Sequence, residues 1–425
     1  MNVDLIVASG IFILFIIGSF LYIFNLSKQG PSWLSLTELR KRAFEFTSEI
    51  LSEGKPENWE KENIIPSSLG VSFQAFSIPV LISDTSGYQR INEPIALSID
   101  FDINCKNLAW NGSIRIYDEN FKEIPFKFVN QTFCPSGFLQ KAILFFEINV
   151  SSNSSRKIQI VFSNDTSLLS KDYGNFSNLV LWLPMDEGYG NYTYDYSGNK
   201  NNGTLYNNTQ VCGGIDACPL WTNGKIGKAI SFDGLDDFVL IKNAESLNPS
   251  RITVSLWVFP NSFNSVLLSK NFSSYELRTD NSNFVQFYIN ETYANSSFPL
   301  TSNWHYLVGR FNGTSIDIFI NATLAGSKSY SFSIPSNNLD LTIAKNPSGL
   351  FFNGTIDEVR IYNRALTEEE IFSHYLQPLS IKIFPPQQIN LISFEKLNAL
   401  RNISYELMKN ALQKRYDFRV EVYEK

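Results

Sequence analysis

Histidine is almost missing from this 425-residue chain: His305 and His374 are the only two. That removes most of the ground for a zinc site or a histidine-based triad, and it leaves the serines without a general base. Charge is also thin. Asp, Glu, Lys and Arg make up 18% of the residues, the net charge is −6, and no long basic run occurs. Phosphate binding needs a concentrated cationic face, so nucleic acid is not an expected partner. No phosphate-cradling glycine loop is found, and no Glu-x-Asp-x-Glu strand places paired acids on one face. Glycoside hydrolysis requires such a pair across a cleft. The densest acidic run, Glu368-Glu369-Glu370, reads as the exposed first turn of a helix, where the dipole favours it. The chain is therefore not expected to be an enzyme.

Cysteine is scarce as well. The four cysteines fall as two local pairs, Cys105 with Cys134 and Cys212 with Cys218. Three connectivities exist, and pairing within each region is the simplest. Neither spacing is a CxxC, so two structural disulfides in an oxidising compartment are expected.

What the chain does have is 35 Phe, 19 Tyr, and 44% hydrophobic residues. It is also rich in Asn, Ser and Thr. This mix suits strands and polar turns, and the length suggests two or three domains. Leu5 to Phe24 carries no charge. Twenty helical residues span about 30 Å, a bilayer core, and no basic start precedes them as it would in a cleaved signal. A retained single-pass anchor is expected. Lys28, Arg40, Lys41 and Arg42 follow it, which the positive-inside rule would keep in the cytoplasm, but long domains translocate largely regardless of charge. The chain holds 17 Asn-x-Ser/Thr sequons, whereas its 43 Asn and 67 Ser plus Thr would give about 7 by chance. The excess points to N-glycosylation outside the cell, with Asn111, Asn149, Asn175, Asn271, Asn312 and Asn353 as candidates.

Read along the chain, the expected organisation is mostly β. Residues 1–27 are the transmembrane anchor. An amphipathic helix lies in the membrane-proximal segment 28–70. A small β-sandwich occupies 71–165, where strands such as Ile95 to Phe101 and Lys157 to Phe162 alternate in period two. A larger jelly roll of two packed sheets occupies 172–378. Thr367 to Tyr375 reads as its one short helix, with Thr367 as N-cap and Glu370 completing a capping box. The tail 379–425 reads as helical, with a final strand, and is expected to pack with 28–70.

Six ordered segments of the larger region resemble a laminin-G-like, concanavalin-type jelly roll. They are Leu181-Trp182-Leu183-Pro184-Met185-Asp186-Glu187-Gly188, Asp195-Tyr196-Ser197-Gly198-Asn199, Gly224 to Gly234 with Asp236-Asp237-Phe238-Val239, Thr253 to Val258, Trp304-His305-Tyr306, and Gly354 to Leu366. The resemblance implies glycan or surface-protein binding, hence adhesion or recognition. It also implies a calcium ion near the loop edge, held by Asp195, Asp233 and Asp357 with Asp236 or Asp237 as accessory donors. Tyr189, Tyr192, Tyr194 and Tyr206 cluster in one loop-rich stretch and could stack on sugar rings. The ends of the chain more faintly resemble archaeal pilin-like membrane-anchored proteins, through the apolar N-terminal helix, Pro56 to Glu60, and Asn402 to Phe418. That second resemblance implies a structural subunit of a surface filament or envelope and a homo-oligomer, although no basic residue precedes the apolar helix. A third reading, an anchored glycoside hydrolase, would need the missing acid pair. A surface protein whose bulk faces the cell exterior is the principal expectation.

Overall fold

The strand Leu139–Val150 shows how alternation makes two interfaces from one sequence. Leu144, Phe146 and Ile148 enter one core, while Phe145 between them points the opposite way into another. The structure is a computed structural model, and it describes residues 72–392 apart from 121, 167, 172, 174–177, 213–217 and 377. The expected anchor Leu5 to Phe24, the segment 28–70, Asn175 and the tail beyond 392 lie outside the described residues. So do Pro56 to Glu60 and Asn402 to Phe418, which carry the pilin-like resemblance. Among the described residues no helix is long and apolar enough to cross a membrane.

The smaller unit is a β-sandwich. One sheet pairs Ser72–Ser83 with Ser155–Ser163, which in turn pairs with Arg115–Asp118. The facing sheet runs Arg90–Asp100, Leu139–Val150, Lys127–Phe133. Ile78, Val80 and Ile82 meet Ile95, Leu97 and Ile99 across the core. Cys105 and Cys134 are disulfide-bonded.

Ser380–Ile383 and Gln387–Ile392 also pair with Ser72–Ser83, so the first sheet is completed by strands that follow the jelly roll. The sequence boundaries 71–165 and 379–425 do not include this. The larger domain is inserted into the smaller one. Helical character was expected from Ser380 onward, but the chain is extended through Ile392. Ladder partners more than 300 residues away, at Ser72 and Phe73, decide this, and local pattern cannot see them.

The jelly roll packs an eight-stranded sheet on a nine-stranded sheet. Leu181, Val254, Leu256 and Ile361 from the first meet Val239, Leu277, Phe287 and Ile343 from the second. Cys212 and Cys218 are bridged and pack against this core. The helix Glu368–Tyr375 starts with the expected capping box at Thr367 and Glu370. Glu370 itself is buried rather than exposed, because Arg364 forks onto both of its oxygens at 2.6 and 2.7 Å.

The sandwich covers the outer face of the eight-stranded sheet. Phe145 joins Trp182, Trp257, Tyr306, Val308, Phe319, Tyr362 and Ile371 in one buried cluster. Polar contacts close the seam. Arg90 donates to the Ser373 carbonyl at 2.7 Å, and Ser373 Oγ donates to Glu93 at 2.8 Å.

Candidate functional site

Opposed residues of an antiparallel pair share a face, so ladder register shows what a sheet presents. On the nine-stranded sheet one row of partners runs Tyr192, Thr204, Leu240, Thr342, Ser269, Glu276, Tyr288, Tyr293. Their chain neighbours Leu205, Val239, Ile241, Leu277, Phe287, Ile289 and Ala294 fill the core. The row therefore lies on the outer face, and at strand spacing it spans about 34 Å. Beside it lie Tyr206 stacked on Phe238 at one flank, and Arg278, Gln286 and Asn295 at the other.

The chemistry concentrates at Glu276. Its Oε2 accepts from Ser269 Oγ at 2.8 Å. Its Oε1 is buried without a hydrogen-bond partner, and Arg278 Nη1 stands 3.6 Å away. Burial raises the Glu276 pKa, against the pull of the Ser269 bond and Arg278. Arg278 donates to Gln286 at 3.1 Å and to the Tyr288 hydroxyl, and its guanidinium lies 4.2 Å from the Tyr288 ring centre. Tyr288 stacks on Tyr293 with centroids 4.6 Å apart, and Tyr293 is 40% exposed. A carboxylate, a fixed guanidinium, an amide and two stacked phenols thus share one patch.

The other sheet carries a matching constellation in a different setting. Arg360 pairs with Glu358 at 2.9 Å and lies 4.6 Å from the Trp182 ring centre. Trp182 Nε1 donates to the same Glu358 oxygen at 2.9 Å. This group sits beneath the sandwich, with Glu93 among the charges felt by Arg360.

Of the aspartates expected to share an ion, the fold gathers only some. Asp233, Asp236 and the accessory Asp237 each place an oxygen within 4.8 Å of the others. Burial, then the charge of Asp233, pushes the Asp237 pKa up to about 7. Asp195 and Asp357 are not in this cluster. Asp195 spends both oxygens on the Trp182, Ser197 and Asn201 amides and the Ser197 hydroxyl, all at 2.9 Å. Asp357 accepts from Ile226 N at 2.9 Å, and burial followed by the Glu358 charge raises its pKa to about 8. Asp195 and Asp357 thus stand apart from the Asp233 cluster and accept backbone amides, while Asp357 Oδ1 is buried without a hydrogen-bond partner. The Gly224-to-Lys228 loop explains its own glycines. A Cβ on Gly227, which has φ +61°, would lie 2.1 Å from Asp186 Oδ1, and one on Gly224 would lie 2.5 Å from Asp357 Oδ2.

Turn chemistry also accounts for several sequons. Asn271 Oδ1 accepts from Ser273 N at 3.1 Å, and Asn312 Oδ1 from Thr314 N at 2.8 Å. Asn149 accepts from Asn92 N at 2.7 Å, and Asn353 from Asn261 at 3.2 Å. Asn111 opens a short 3-10 turn. The Asn-x-Ser/Thr spacing at 271 and 312 is that of a side chain closing its own turn.

Sequence reading had singled out the tyrosines but not Glu276 or Arg278. Of the four, Tyr192 and Tyr206 lie on the outer face, and Tyr189 and Tyr194 are exposed nearby. The missed signal was Tyr275-Glu276-Leu277-Arg278-Thr279, a strand that alternates core residues with charges.

No curated protein matches the chain significantly. Among solved structures, one similar in shape is domain 4 of AbnA, a GH43 extracellular arabinanase from Geobacillus stearothermophilus in complex with arabinotriose. It shares 20% identity over 47% of this chain and 99% of that one, with a TM-score of 0.39. The binding domain of Paraclostridial Mosquitocidal Protein 1 shares 20% identity over 47% of this chain and 52% of that one, at 0.37. A Trypanosoma rangeli sialidase in complex with the inhibitor DANA shares 11% over 55% of this chain and 42% of that one, at 0.35. The chain thus spans about half of each of the last two. Residues 233–372, within the jelly roll, match the laminin-G family model described as the concanavalin A-like lectin/glucanases superfamily.

Proposed function

We propose that this chain is a surface recognition protein whose jelly roll takes a carbohydrate across the outer face of the nine-stranded sheet. The observation that carries the reading is the Glu276–Arg278–Tyr288–Tyr293 patch, where a buried carboxylate oxygen makes no hydrogen bond and stands 3.6 Å from Arg278, beside the exposed Tyr293. Sugar hydroxyls donate to such a carboxylate and accept from a fixed guanidinium, and their CH faces stack on phenol rings. Hydrolysis would call for two acids about 5 to 9.5 Å apart. The register row offers one, Glu276, next to a cation, which favours binding over cleavage. The apolar segment Leu5 to Phe24 would hold the protein in the membrane, with both domains outside, where disulfides persist. Domains of this fold serve many ends, so the patch rather than the fold supports the ligand class.

The test is a glycan array probed with the full-length protein and with Tyr293→Ala and Glu276→Ala. Binding by the wild type and its loss in both variants would support the reading. An array blank at millimolar sugar would remove it and leave protein partners as the ligand class.

A further inference from the structure

We infer that Lys270 and Asn243 react with each other to form an amide between their side chains, which ties two strands of the nine-stranded sheet across a third. Asn243 lies just past the strand Asp237–Ile241, and Lys270 just past Val266–Ser269. Both strands pair with Leu341–Ile343, which runs between them, and among the described residues they make no ladder with each other. Asp340 precedes that middle strand, at the same end of the sheet. A side-chain amide here would bridge strands that backbone hydrogen bonds do not join.

Lys270 is fully buried, and its Nζ stands 2.6 Å from Asn243 Oδ1 and 2.8 Å from the Leu339 carbonyl oxygen. Among the described residues it forms no ion pair with a carboxylate. A buried ammonium without a counter-ion is costly, and losing a proton relieves the cost. Burial accordingly pulls the Lys270 pKa down to about 8, against the charge of Asp340. The neutral amine is a nucleophile. With one hydrogen on the Leu339 carbonyl, its lone pair is free to turn to Asn243 Cγ. That carbon is one C=O bond from Oδ1, hence about 3–4 Å from Nζ, close to attack distance. Asn248 Nδ2 lies 3.5 Å from the same Oδ1, where negative charge develops during attack. Asp340 holds the Asn243 loop in place: its Oδ1 accepts from Asn243 N at 2.8 Å and its Oδ2 from Lys242 Nζ at 3.0 Å. In the step the Nζ–Cγ bond forms and the Cγ–Nδ2 bond breaks. One Nζ proton passes to Nδ2, which leaves as ammonia, and nothing is oxidised or reduced. Asn243 is only half-buried, which gives the ammonia a way out.

The bond does not depend on the sugar-binding reading. The test is tryptic peptide mapping of the reduced, deglycosylated full-length protein by mass spectrometry. Trypsin should release residues 243–251 and 252–278 as one branched species, uncut at the acylated Lys270 and lighter than the two peptides together by one ammonia. Fragmentation should place the branch between Lys270 and Asn243. Asn243→Ala should lose the branched species and give residues 243–251 alone. If Asn243→Ala does not fold, Lys270→Met carries the same test. Separate peptides in the wild type, with cleavage after Lys270, would overturn the inference, as would a branched species that persists in Asn243→Ala or Lys270→Met.

Discussion

The jelly roll has two outer faces built from nearly the same parts and put to different use. Each carries a glutamate two residues before an arginine on one strand, with the guanidinium laid against an aromatic ring: Glu358, Arg360 and Trp182 on one face, Glu276, Arg278 and Tyr288 on the other. Under the sandwich the set is closed. Glu358 is met by Trp182 Nε1 and Arg360, and Phe145 packs beside them. On the other face Glu276 is also buried, but one of its oxygens makes no hydrogen bond and lies 3.6 Å from Arg278, and Tyr293 stays exposed. The closed face has recruited the chain's own second domain. The other face carries the same kind of set with Tyr293 still exposed, and this is why a ligand is assigned to it.

Five perturbations break or sharpen that contrast. The largest effect is expected from Arg360→Ala, which leaves Glu358 in the seam without its cation and should cost about 3–5 kcal/mol in denaturant unfolding. Phe145→Ala should follow, at about 3 kcal/mol, because it opens a cavity between the domains. If either variant is as stable as wild type, the seam does not hold the two domains as described.

A pH effect on the closed face should come next. His374 stacks on Tyr362, and burial, then the charge of Arg360, holds its pKa well below the usual value. Arg364, Arg90 and Glu370 also face it. The ring stays neutral in the fold, while the unfolded chain takes up a proton near pH 6.5. Stability should therefore fall as pH drops below about 6.5, and His374→Asn should flatten that slope. Glu370 contributes in a separate window. Burial acts to raise its pKa, but the Arg364 fork outweighs this and holds it at about 2, so its share is lost between about pH 4.5 and 2.

The smallest stability effects belong to the open face. Arg278→Ala should cost less than Arg360→Ala, since its 3.6 Å ion pair is longer and the guanidinium is partly solvated, and Glu276 keeps its bond from Ser269. Tyr293→Ala should leave Tm unchanged yet weaken sugar binding about tenfold, or 1.4 kcal/mol. Equal stability losses in Arg278→Ala and Arg360→Ala would mean that the two faces do not differ as argued.

Much of the fold was legible because its signals are local. The capping box of Thr367 and Glu370 lies within four residues, and the strand Thr253-Val254-Ser255-Leu256-Trp257-Val258 shows its alternation in six. The insertion of the jelly roll was not legible, since Ser380-Ile381-Lys382-Ile383 is solvent-exposed and takes its strand identity from Val80 to Ser83. The acidic cluster was half legible. The tight Asp-Gly-Leu-Asp-Asp run brings its own carboxylates together, whereas Asp195 spends its oxygens on Ser197 and Asn201 of its own loop and on Trp182, and Asp357 accepts from Ile226, a partner 131 residues away that sequence spacing does not reveal. The open patch was missed because its four members come from three strands and meet only through register.

The central claim is tested most directly by a crystal structure of the full chain with the highest-ranked sugar from the array. Electron density for the sugar over Tyr293 and Tyr288, with a hydroxyl on Glu276 Oε1, is the expected result. Density on any other surface, with this patch bare, would contradict the assignment.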